Sequence, residues 1–146
     1  LVETLEEKHN TITKFMASNL RLLNKFGHPN HKNTVLYWFI IECLDNVNDI
    51  LKETARDILK LDINISKNCE NILLRINSSL VDYYNLFYKF DYKQLEKTST
   101  ERYGILEDIR GLSKKMSKDE LIIVTSMERI IEQILDLKVA RIGLEY

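Results

Sequence analysis

Proline occurs once and glycine four times in 146 residues, so the chain has few means of making phosphate-cradling loops or sharp hinges. No stretch alternates apolar and polar residues for long enough to form a half-buried strand, which leaves an all-α protein. Cysteine is scarce as well. Cys43 and Cys69 form no CxxC pair and no Cys/His cluster with zinc spacing. Both fall on apolar faces of predicted helices, as buried reduced thiols of a cytoplasmic protein would. The longest apolar run, Val35 to Ile41, is far short of the ~20 residues that a membrane span needs. No basic run exceeds Lys114-Lys115 and the net charge is -1, so the footprint of a direct nucleic-acid binder is missing. Walker, GxGxxG and GxSxG motifs are absent, as is a Cys/His nucleophile pair. Leu1 to Glu7 is acidic and already amphipathic, unlike a secretory leader. An opening on Leu in mid-pattern suits a fragment of a longer protein.

What the chain does contain is helical periodicity throughout one domain, residues 1–146, long enough to bury a real core. The stretch Asn33–Leu61 predicts the organising helix, with Ile40, Cys43, Val47, Ile50, Thr54, Ile58 and Leu61 recurring at spacings of three and four. A first helix is expected over Val2–Phe26, with Val2, Leu5, His9, Ile12, Met16, Leu20 and Leu23 inward, stopped by Gly27-His28-Pro29-Asn30. A third begins near Ile65 and carries Ile65, Cys69, Ile72, Ile76, Leu80, Tyr83, Phe87 and Phe90. Asp91 with Gln94 resembles a capping box opening a fourth helix to about Met116, whose inner face is Leu95, Ser99, Arg102, Leu106, Ile109 and Leu112. Ser117 with Glu120 caps the last helix, which turns Ile123, Met127, Ile130, Ile134 and Leu137 inward, with Ile131 and Leu135 widening the band. Five long helices on short turns predict an up-down antiparallel bundle. Apolar residues on more than one helix side are compatible with a homodimer.

The chemistry-bearing residues are acids. Glu42, Asp45, Asp49 and Glu53 form a stripe on the organising helix; like charges four apart cost a few tenths of a kcal/mol each, about 0.2–0.5, so the row invites a cation. Glu128 and Glu132, with Asp136 one turn on, repeat the pattern on the last helix. Acids from two facing helices could make an oxygen-rich site, and Asp45, Asp49, Glu128, Glu132, Glu42 and Asp136 are its candidate ligands. The alternative is a solvated acidic face, with Lys52, Arg56 and Arg129 blunting the repulsion. A carboxylate-bridged di-iron enzyme would need two Glu-x-x-His motifs, and Glu6-x-x-His9 stands alone. His28 and His31 flank a turn as HPNH, two ligands where zinc ordinarily takes at least three.

Leu44-Asp45-Asn46-Val47-Asn48-Asp49 and Met127-Glu128-Arg129-Ile130-Ile131-Glu132 resemble the Leu-Glu-Arg-Ile-Ala-Asp run of the PhoU-type phosphate-uptake regulators. The resemblance extends to the order of the long helices and is greatest to the archaeal branch. It implies a PhoU-like helical bundle and a non-catalytic regulator of phosphate uptake, phosphate homeostasis and signalling. Such a regulator works through protein contacts with phosphate-transporter or signalling-kinase components. It also implies iron or zinc held by paired acidic motifs as the candidate cofactor. The pattern departs from the family at Asn10, where a second acid of the first helix is expected, at Ile50, where a histidine often stands, and at Glu132, which replaces Asp. In archaeal relatives an AbrB-like DNA-binding segment often lies upstream, and the helical part would then be the effector or dimerising half of a transcriptional regulator.

Overall fold

The computed structural model describes residues 2–62 and 64–146. The expectations at Leu1, at the side chain of Val2 and at Ile63 lie outside what is described. Five long helices follow one another: α1 (Val2–Phe26), α2 (His31–Lys60), α3 (Lys67–Tyr88), α4 (Tyr92–Leu112) and α5 (Lys118–Gly143). A single 3-10 turn, Ser113–Lys115, separates α4 from α5. Among the described residues there is no strand.

Local chemistry sets the boundaries. Gly27 ends α1 in the left-handed region at φ 67°, and its N–H closes on the Leu23 carbonyl at 2.8 Å, the glycine stop that a residue with a Cβ would strain. Asn30 caps α2 by accepting from the Lys32 N–H at 3.3 Å, so the helix begins at His31, two residues before the predicted start. Ser66 caps α3. Asp91 accepts from the Gln94 N–H at 2.9 Å, but the Gln94 side chain turns to Asp82 at 3.2 Å, so the reciprocal half of that capping box does not form. The box at Ser117 and Glu120 is complete.

The helices run up and down, yet sequence neighbours are not always packing neighbours. α5 lies against α2, α3 and α4, while α1 packs chiefly on α2. That position makes α5 the core: Ile123, Ile130, Ile131, Ile134 and Leu137 are fully buried. Burying each such side chain is worth about 1.5–3 kcal/mol. With only one neighbour, α1 buries His9 but leaves Ile12, Phe15, Leu22 and Phe26 exposed. On α2 the stripe holds from Ile40 through Thr54 and fades at Leu61, which is exposed. On α3 the buried set steps from Ile76 to Ser79, Tyr83 and Leu86; Leu80 and Phe87 are only half-buried, and Phe90 lies beyond the helix. On α4 the fully buried residue is Ile105, with Thr98, Leu106 and Ile109.

Two ends result. At one, the α1–α2 and α3–α4 turns meet the end of α5: the Tyr37 ring contacts His28 and Phe87, and Arg141 donates to the Phe87 carbonyl at 2.9 Å. At the other, the Ser66 N–H donates to Glu120 Oε1 at 2.8 Å, tying the start of α3 to the start of α5.

Candidate functional site: the acidic faces of α2 and α5

Cations stand next to the acidic stripe, and they are side chains of the same chain. Asp49 Oδ1 accepts from His9 Nε2 of α1 at 2.7 Å and from Lys52 Nζ at 3.1 Å. These two hydrogen bonds, His9 first, hold the Asp49 carboxyl below the usual carboxylate range. Arg56 forks between helices: its Nε donates to Glu6 of α1 at 2.7 Å and its Nη1 to Glu53 at 2.8 Å. Arg102 of α4 holds Glu132 of α5 through both carboxylate oxygens. The like-charge cost of the acid rows is thus offset by pairing across α1–α2 and α4–α5, which also fixes how those helices dock.

The six candidate ligands separate accordingly. Asp49 and Glu132 line one open groove of about 460 Å3 between α2 and α5, with Glu53, Arg129 and Gln133 beside them. The other four do not line it. Asp45 receives a long contact from the Thr13 hydroxyl at 3.5 Å. Glu42 and Asp136 approach Cys43 from α2 and α5: burial, then the charges of Asp136 and Glu42, push its thiol up to about 11. Glu128 is half-buried on α5. Among the described residues no group of three or more His, Cys, Asp or Glu side chains is placed to hold a metal ion. With Asp49 and Glu132 already bonded to the chain's own cations, this donor set does not fit a multinuclear iron or zinc cluster.

The remaining reactive side chains serve the fold. Cys43 and Cys69 are free and buried. His28 Nδ1 accepts from the Asn30 N–H at 3.0 Å, which ties it into its own turn, while His31 is exposed. Periodicity alone misses the role of Arg102, whose place on an otherwise buried face is the signal: a guanidinium there requires an acid from the facing helix. Its Nε, like His9 Nδ1 and Gln133 Oε1, is buried without a hydrogen-bond partner. Comparison with family models, with curated proteins and with solved structures finds no match to this chain.

Proposed function

We propose that this chain is a non-catalytic regulatory module of the PhoU type, acting on phosphate uptake and phosphate-responsive signalling through contacts with transporter or kinase components in the cytoplasm. What supports the reading is the meeting of its two acidic hexapeptides: Asp49 from one and Glu132 from the other line a single groove on adjacent central helices. In this reading the groove is the contact surface, and a partner's cation competes with His9, Lys52 and Arg102 for the carboxylates. Metal response would require the same competition, since those side chains hold Asp49 and Glu132.

The test is the double variant Asp49→Asn/Glu132→Gln in the source organism, read as phosphate uptake at low and high external phosphate. Loss of the difference between the two conditions is expected; uptake that still responds normally would remove the reading. Metal content by plasma mass spectrometry on chain purified without chelator or tag runs beside it. Iron or zinc near one per chain, lost in Asp45→Ala/Asp49→Ala, would restore a metal site at the stripe.

A second reading, a dimerising effector half of a transcriptional regulator with an AbrB-like part upstream, is favoured by the exposed Ile12 and Phe15 flank of α1. A β-rich basic segment upstream in the reading frame, together with a dimer lost in Phe15→Ser, would favour it over the first.

A further inference from the structure

Every aromatic residue except Phe15 and Tyr103 lies toward one end of the bundle, around the α1–α2 turn, the α3–α4 turn and the end of α5. Some of them hold that end together. Tyr83 is buried, Phe87 packs on Tyr37, and Phe90 lies under the Arg141 guanidinium. Others contribute little to the core: Phe26 is 70% exposed, Tyr88 72%, Tyr92 59% and Tyr146 83%, with Trp38 and Phe39 at about 40%. Exposure of large apolar side chains on this scale in one region marks a contact surface.

Basic side chains predominate at the same end. From Lys8 to Ile41 there is no Asp or Glu, and Arg21, Lys25, Lys32, Lys89 and Lys93 are all exposed. Of the acids nearby, Asp91 caps α4, Asp82 accepts from Gln94 and Glu145 pairs with Arg141, while Glu96 is exposed one turn into α4. A chain of net charge -1 has therefore gathered a predominantly basic, aromatic surface at one end. These residues belong to two interhelical turns and one helix end. Phe, Tyr and Trp beside Lys is the composition that settles at the headgroup level of a bilayer.

We propose that this end of the bundle docks peripherally on an anionic lipid surface, with Phe26, Tyr88 and Tyr92 in the interfacial layer and Lys25, Lys32, Lys89 and Lys93 at the headgroups. No helix of the described residues is long and apolar enough to cross the membrane, so the attachment is by one end only. The inference stands independently of the regulator reading.

The test uses the whole chain with vesicles of phosphatidylcholine alone or mixed with phosphatidylglycerol, read by co-sedimentation and by the emission of Trp38, the single tryptophan. Binding to the anionic vesicles, a blue shift and loss of both at high salt are expected. Lys25→Gln/Lys32→Gln/Lys89→Gln/Lys93→Gln lowers partitioning by about a hundredfold or more, at roughly fivefold per basic residue. Phe26→Ser/Tyr88→Ser/Tyr92→Ser weakens it with unchanged helix content by circular dichroism, and Tyr103→Ser on the flank leaves it unchanged. The proposal is overturned by no association with anionic vesicles, by equal binding to neutral ones, or by an equal loss in the Tyr103 variant. It is equally overturned if the chain dimerises without lipid and the aromatic variant abolishes the dimer, for then a second copy covers this end.

Discussion

Arg102 on α4 and Glu132 on α5 form a two-point contact, with Arg102 Nη2 2.7 and 2.8 Å from the two carboxylate oxygens. The arginine side chain is only 13% exposed, whereas the glutamate is half exposed, so the pair is asymmetric. Removing the acid strands a nearly buried cation close to Lys138, whose own burial, together with Arg102, pulls its ammonium down to about 8. Glu132→Ala is expected to cost about 1–3 kcal/mol, the range for leaving a buried group unpaired. Replacing both partners, as Arg102→Met/Glu132→Ala, should cost less than Glu132→Ala alone. Urea unfolding of both variants decides it, and a double variant less stable than the single one contradicts the asymmetry.

Glu120 carries the second prediction. Its carboxylate accepts from the Ser66 N–H at 2.8 Å and from the Ser117 N–H at 3.3 Å, and these bonds, those from Ser66 first, lower its pKa. A carboxyl depressed in the fold stabilises it above the unfolded value of about 4.3, and the contribution fades as pH falls through the folded value. Glu120→Gln should therefore be less stable than the parent at neutral pH, with the gap closing below about pH 4. A gap that stays constant down the acid limb would remove the carboxylate from the explanation.

The thiol of Cys43 is held up at about 11 by burial first and by Asp136 and Glu42 second. For an acid that ionises to a thiolate, a raised folded pKa stabilises the fold below the unfolded value of about 8.5. That contribution disappears as pH climbs through the folded value. The native protein should resist alkylation by iodoacetamide at mildly alkaline pH and react at both cysteines once unfolded in urea. Free-thiol reaction rates at Cys43 in the native state would contradict its placement.

Capping chemistry is legible in the amino-acid order itself, because it is local: Ser117 and Glu120 sit three residues apart and act on each other. The α2 stripe is legible as well, since its line from Ile40 through Thr54 stays buried along the helix. Legibility falls off on α3 and α1. On α3 Ser79 and Leu86 join Ile76 and Tyr83 as the buried set, while Leu80 and Phe87 pack against the core from its edge. On α1 Ile12 looks like core but is exposed, because α1 packs chiefly on α2. The candidate site is hidden for a different reason. Its acids stand out as a stripe, and Lys52 and Arg56 stand beside them on α2, but His9 and Arg102 reach them from α1 and α4, and no spacing within a helix reports the approach of Arg102 to an acid thirty residues away.

The last prediction tests how much of the molecule hangs on α5. Ile134 is 1% exposed and belongs to the core cluster together with Ile40 and Cys43 of α2, Cys69 of α3 and Ile105 of α4, so its loss opens space at the junction of these helices. Ile134→Ala should cost about 2–5 kcal/mol, the transfer term plus an unfilled cavity. Phe15→Ala, which deletes a larger side chain from a site 70% exposed on α1, should stay within about 0.5 kcal/mol. If α1 and the central helices unfold as one cooperative unit, both variants will shift the denaturant midpoint without changing the slope. A reduced slope in Ile134→Ala alone would instead mean that α5 can loosen while the α1–α2 hairpin persists.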